Sequence, residues 1–255
     1  MIYVSGDTHG EVSAYRKIMD AIPNPTAEDI IIICGDASLE YGEYSMGSCR
    51  KAMSKFPGSW IIMRGNHDNR YWEAHTQYDS QKKITIADKG WDFSDKFDEI
   101  TLYQNKYPNI HYIDDMGGLY NIDGYGIMFY PGAYSVDKEY RIAFNKPYAW
   151  NEQCTNLEFE YLNEFTMKHI DDIDFVISHT CPISAEPMIQ YLFMKGLDQS
   201  KIDKATEKWL DKYYNHLKNS KNFKHWFFGH FHDDKELSED FTIVYNKVVR
   251  LENYV

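Results

Sequence analysis

Nine residues able to hold a divalent cation or move a proton stand directly behind short apolar runs. They are Asp7 and His9 in Gly6-Asp7-Thr8-His9, Asp36 in Gly35-Asp36, Asn66, His67 and Asp68 in Gly65-Asn66-His67-Asp68, His179 in Ser178-His179, and His230 and His232 in Gly229-His230-Phe231-His232. Carboxylate oxygen together with imidazole nitrogen suits Mn²⁺, Fe or Zn²⁺ better than Ca²⁺, which takes oxygen alone. Taken singly, each element has an ordinary reading: a Gly-Asp after a strand is a turn with a capping carboxylate, and a strand-end histidine packs. The set is more than its parts, because open α/β sheets build sites where several strands end side by side. The glycines at 6, 35, 65 and 229 let the backbone turn tightly and come close to an ion or a phosphate.

The elements that must position these residues are legible from periodicity. Ile2-Tyr3-Val4-Ser5 reads as a buried strand, and Val12, Tyr15, Ile18, Met19 and Ile22 behind it fall at helical spacing until Pro23 and Pro25. Ile30-Ile31-Ile32-Ile33-Cys34 and Trp60-Ile61-Ile62-Met63 are continuous apolar strands, so strand, helix and strand imply parallel βαβ units. Residues 70–108 are mixed polar and aromatic, predict a short helix or two, and read as an insertion. Strands over 110–113, 119–122 and 127–130, punctuated by Gly117-Gly118 and Gly124, predict antiparallel pairing and the start of a second sheet. Leu157, Tyr161, Leu162 and Phe165 predict a helix over 156–170, followed by a strand ending at His179. Ile202, Ala205, Trp209, Tyr213 and Leu217 predict another, followed by Trp226-Phe227-Phe228 and closing strands within 241–251. With no repeat and no linker, one domain over residues 1–255 is expected.

Composition bounds the partners. The chain carries 27 basic against 39 acidic residues, a formal charge of −12, and no basic block, which counts against general nucleic-acid binding. The four cysteines Cys34, Cys49, Cys154 and Cys181 form no CxxC pair, so neither a disulfide framework nor a thiolate site is indicated. No apolar run approaches the roughly 18 residues of a membrane span. A strand that begins almost at Met1 leaves no room for a cleavable signal, and a cytoplasmic location is expected.

Gly-Asp-x-His, Gly-Asp, Gly-Asn-His-Asp, a strand-end His and Gly-His-x-His, spread from Asp7 to His232, resemble the calcineurin-like metallophosphoesterase family. The resemblance implies an α/β fold, a four-layer α/β/β/α sandwich, with a dinuclear metal site at the C-terminal ends of the strands. By that resemblance Asp7, His9 and His232 hold one ion, Asn66, His179 and His230 the second, and Asp36 bridges them. His67 matches the histidine that lies near the phosphate and protonates the leaving group or stabilises the transition state, with Asp68 orienting it. Two divalent ions, Mn²⁺ foremost with Fe or Zn²⁺ as alternatives, clamp phosphate oxygens and make hydroxide available near neutral pH for in-line attack. The implied partner is a phosphorylated substrate, monoester or diester.

Two other readings stay open. A nuclease could use the same metals, although the acidic balance and the lack of a basic, aromatic-interleaved groove count against it. A noncatalytic binding module with this fold should lack the acid histidine or several ligands, and here every position is filled. Protein serine/threonine phosphatases are similar at Arg64-Gly65-Asn66-His67, but their Gly-Asp-x-x-Asp-Arg-Gly element is absent, since Ala-Ser-Leu-Glu-Tyr follows Gly35-Asp36. The run from Pro131 to Lys138, with Arg141 and Trp150 beyond it, is similar to uncharacterised bacterial and phage members of the family. Residues 134–141 carry Tyr134, Asp137, Lys138 and Arg141 without core periodicity, so they form either a solvated turn or a loop over the metals, where Arg141 or Lys138 pairs with a phosphate oxygen. His75, His111, His169, His216 and His225 fall outside the motifs and read as packed or solvated.

Overall fold

The computed structural model describes residues 1–42, 44–189 and 202–255. The chain opens with β1 (Ile2–Ser5), α1 (Val12–Asp20) and β2 (Ile30–Ile33), then the small hairpin β3 (Glu40–Tyr41) and β4 (Tyr44–Ser45). Next come α2 (Gly47–Met53), β5 (Ser59–Ile62), α3 (Tyr71–His75) and a hairpin of β6 (Thr76–Asp79) and β7 (Ile84–Ala87). They are followed by β8 (Trp91–Ser94), β9 (Thr101–Gln104), β10 (Ile110–Tyr112), β11 (Gly118–Ile122) and β12 (Tyr125–Tyr130). The remainder is α4 (Lys138–Ala143), α5 (Asn156–Lys168), β13 (Phe175–Ser178), α6 (Ala205–Leu217), β14 (His225–Phe228), β15 (Lys235–Glu236), β16 (Phe241–Ile243) and β17 (Val249–Arg250).

These strands make two large sheets, of order β17-β1-β2-β5-β10-β9-β8 and β11-β12-β13-β14-β16-β15. In the first, β1, β2, β5 and β10 run parallel; in the second, β12, β13, β14 and β16 do. Strand alternation sorts the apolar residues into three buried clusters. Tyr3, Ile31, Ile33, Trp60 and Ile62 face Tyr15 and Ile18 of α1 and Met53 of α2. Val4, Ile32 and Ile61 on the opposite face meet Ile127, Phe129, Phe175, Ile177 and Phe227 of the second sheet. Met128, Val176, Trp226 and Phe228 then pack against Phe159 and Leu162 of α5 and Leu210, Tyr213 and Leu217 of α6. α5 starts where Thr155 accepts from the Glu158 N–H and Glu158 accepts from the Thr155 N–H, a capping box that satisfies two otherwise orphaned donors. Because the central strands are buried on both faces, their sequences are continuous apolar runs.

The stretch at 70–108, where a short helix or two is expected, has a fuller structure. It holds one short helix and four strands, and β8 and β9 extend the first sheet antiparallel beyond β10. β10 itself pairs in parallel with β5, so the second sheet begins one strand later than expected, at β11. The closing segment visits both sheets, with β16 beside β14 and β17 antiparallel to β1. Among the described residues no helix is long and apolar enough to cross a membrane.

Candidate metal centre

The parallel strands of both sheets end at one place. There the His179 ring Nδ1 lies 2.8 Å from the Cys34 carbonyl oxygen, and the His230 N–H donates to both oxygens of Asp7 at 3.1 Å, joining loops from opposite sheets. The glycines before the candidate ligands permit this approach. A Cβ on Gly65 would sit 2.1 Å from Asp36 Oδ1, and one on Gly229 2.3 Å from Asp7 Oδ1. The close neighbour is in each case a side chain of the site, so these glycines make room for ligands rather than for a phosphate.

The side chains fall into two groups. Asp7, His9 and His232 bring one donor atom each within 4.8 Å of one another, as do Asp7, Asp36 and His179. In the first, His9 Nε2 and His232 Nε2 lie 2.8 Å apart, and His232 Nε2 is 3.2 Å from Asp7 Oδ2. In the second, Asn66 Oδ1 is 2.7 Å from His179 Nε2 and 3.0 Å from His230 Nδ1. Asp7 is common to both groups, and Asp36 of the second places Oδ1 3.3 Å from His179 Nε2 and Oδ2 3.8 Å from His9 Nδ1 of the first. The four residues His9, Asp36, His230 and His232 all have positive φ, between 47° and 67°, which costs a non-glycine residue roughly 1 kcal/mol or more. Strain concentrated on would-be ligands marks a functional site more than a packing solution.

The electrostatics fit a cation. The Cys34 carbonyl takes one ring N–H of His179, which leaves Nε2 facing two acceptors, Asn66 Oδ1 and Asp36 Oδ1. Without a cation only a second ring proton reconciles these groups. Burial disfavours it, yet the Asp36 carboxylate outweighs burial and pushes His179 up to about 9. For Asp36, burial raises the pKa, but His179, His67 and His9 more than reverse that and hold the carboxyl well below its usual range. Burial, aided by the positive field of His179, pushes His230 down to about 3, leaving its ring neutral and able to coordinate. Imidazole nitrogens, two buried carboxylates and an amide oxygen are a donor set suited to Mn²⁺, Fe or Zn²⁺.

Beside the candidate ligands opens a cavity of about 520 Å³, lined by His9, Asp36, Asn66, His67, His230 and His232 together with Tyr41, Tyr44, Met46, Val136, Asp137 and Arg141. The His67 ring lies 5.5 Å from that of His9 and 5.1 Å from that of Tyr41, and burial lowers its pKa despite the nearby Asp36. Asp68 follows His67 in the chain and is buried. Its carboxylate accepts from the Ser38 and Gly65 N–H groups and the Tyr71 hydroxyl, tying the Asp36 and Asn66 loops together. Burial, with Asp36 nearby, pushes Asp68 up to about 7.

Of the three substrate-loop residues, only Arg141 reaches the cavity. The segment is not a simple loop: it enters the one-turn helix α4, Lys138 pairs with the buried Glu152 at 3.1 Å and Tyr134 packs by Lys138. Arg141 is itself held by Asp137 at 2.7 Å and donates to the Pro147 carbonyl. The same segment supplies a function that its composition did not announce. Ser135, 1% exposed, accepts from Asn66 Nδ2 at 2.9 Å, and its own N–H donates to Glu152. That bond turns the amide so that Asn66 Oδ1 faces the two histidines. Arg64 is buried too, spent on the carbonyls of Asp115 and Glu152. The histidines outside the motifs stay outside the cavity: His75 pairs with Glu40, His111 with Thr101 and His225 with Thr242.

The family model for calcineurin-like phosphoesterases matches residues 1–234. No curated protein matches the chain. Among solved structures it is similar to a Staphylococcus aureus protein assigned as a 5′-nucleotidase, in complex with α-ketoglutarate, at 12% identity and a TM-score of 0.41. That likeness covers 96% of this chain and 48% of the other, so the chain spans about half the length of that relative. On the family match, carried by the strand-end motifs from Asp7 to His232, the chain belongs to the calcineurin-like phosphoesterase family.

Proposed function

We propose that this chain is a dinuclear metal-dependent phosphoesterase, acting on phosphate mono- or diesters, with its sheets and helices arranged as a four-layer α/β/β/α sandwich. The observation that carries the reading is a pair of donor groups that share Asp7, with Asp36 turning one carboxylate oxygen toward His179 of the second and the other toward His9 of the first. Asp7, His9 and His232 would hold one ion, Asn66, His179 and His230 the other, and Asp36 would bridge them. When bound, the ions would polarise the phosphoryl oxygens and lower the pKa of the attacking water.

The chain's own groups do the rest. The fixed backbone of the strand ends holds the ligands without reorganisation. His67 faces the cavity but belongs to neither donor group, leaving its ring free for the leaving-group oxygen. Burial keeps that ring neutral in the free protein; a phosphate brought beside it favours the imidazolium, which can then donate a proton. Asp68 holds the two loops that carry Asp36 and His67 at a fixed separation. No Lys or Arg other than Arg141 lines the cavity among the described residues, which favours a compact ester over a nucleic-acid strand.

The test is Asp36→Asn. Metal content and turnover of p-nitrophenyl phosphate and its bis-ester should fall together, since both ions lose half of a shared anionic ligand. Full metal content and full rate in the variant would refute the bridge.

A further inference from the structure

The cavity is larger than a phosphoryl group needs. At about 520 Å³ it is of the size that encloses a whole small-molecule ligand. Its lining is of two kinds, carboxylates and imidazoles on the one hand and Tyr41, Tyr44, Met46 and Val136 on the other. His67 marks the join, edge-on to His9 on one side and tilted against Tyr41 on the other. A group that protonates the departing oxygen must lie beside it, so the alcohol half of the ester extends from His67 along Tyr41.

The charges along that wall decide what the alcohol can be. Arg141 is neutralised by Asp137 at 2.7 Å, and its guanidinium lies 5.6 Å from the centre of the Tyr41 ring. With Arg141 paired to Asp137, the described residues of this wall carry no net positive charge to draw a second phosphate. A neutral planar ring meets two phenol faces and a polarisable thioether. Tyr44 is 61% exposed, so its ring has free area to cover.

We infer that Tyr41, Tyr44, Met46 and Val136 form a leaving-group subsite that selects phosphate esters of neutral aromatic or heteroaromatic alcohols. The direction of the leaving group rests on the phosphoesterase reading above. The subsite's affinity for a ring does not.

The Mn²⁺-reconstituted full chain should be assayed with 2-phenylethyl phosphate and ethyl phosphate, both primary alkyl esters whose leaving oxygens are alike. Calorimetry with 2-phenylethylphosphonate and ethylphosphonate reads binding apart from turnover. Both ratios should favour the phenyl compound by about tenfold or more, and Tyr44→Ala, which removes an exposed ring, should bring them toward unity. Equal binding of the two phosphonates to the wild-type protein overturns the subsite, as does an unchanged ratio in both Tyr44→Ala and Tyr41→Ala. A phenyl preference in binding with no turnover of any ester, p-nitrophenyl esters included, supports the subsite and overturns the reaction instead.

Discussion

Ser135→Ala removes one oxygen from a residue 1% exposed, and the consequence reaches the metal site through a single bond. Asn66 Nδ2 loses its acceptor in a place where a hole the size of one oxygen is too small for a replacement water. An unsatisfied buried amide N–H costs about 1–3 kcal/mol, so a loss near 2 kcal/mol would lower Tm by roughly 4–8 °C in a chain of this size. The amide is also freed to rotate, which turns its NH₂ toward His179 and His230 and withdraws the oxygen that faces them. Losing a partner that orients a metal ligand typically costs about 10–100-fold in affinity. Calorimetric titration of chelated protein with Mn²⁺ should therefore show one of two binding steps weakened by about that factor, while the step at Asp7, His9 and His232 moves less. Unaltered affinity at both steps alongside a lowered Tm would show that Ser135 serves packing alone.

Removing His67 separates chemistry from metal binding: His67→Ala should keep most metal yet lose about 10²-fold or more in turnover of esters with poor leaving groups, and less with good ones. An equal loss across a leaving-group series would make its role electrostatic. Arg141→Ala, which removes the guanidinium beside the Tyr41 ring, should raise KM with metals intact, whereas Lys138→Ala should act mainly through Glu152 and lower Tm; a KM effect confined to Lys138→Ala would reverse the placement. Outside the cavity, burial would raise the Glu158 pKa, but the Arg70 guanidinium and the Thr155 N–H pull it down to about 2 from 4.5. A depressed carboxylate contributes stability above its ordinary pKa and loses it as pH falls through the folded value. Urea midpoints should therefore drop between pH 5 and 2 more steeply in the wild type than in Arg70→Met, and equal slopes would refute the coupling.

What could be read from the chain follows from which interactions are local. Asp7, Asp36, Asn66, His179 and His230 stand behind apolar runs that are buried on both faces, so the pattern itself located the strand ends and hence the candidate ligands. β8 and β9 were hidden because each is four residues long and has mixed burial, and their place in the sheet depends on pairing with β10. Ser135 and Lys138 lie in a segment whose composition suggested phosphate contact, but their partners are Asn66, 69 residues away, and Glu152, 14 residues away. The bonds of Asp68 to the Ser38 and Gly65 backbone, 30 and 3 residues away, include a long-range contact that its place beside His67 does not announce. Tyr41 and Tyr44 are paired within a two-residue-per-strand hairpin that leaves no periodic signal, so the wall they form becomes visible only in three dimensions.

The central claim is that two ions, held by these strand ends, are needed for phosphoester hydrolysis. The most direct measurement strips the protein with a chelator, titrates Mn²⁺ back, and follows bound metal and p-nitrophenyl phosphate and bis-ester turnover in the same samples. The account predicts no turnover in the stripped protein and a rate that rises to a plateau at about two ions per chain. Turnover that survives chelation, or saturation of activity at a single ion, would contradict it.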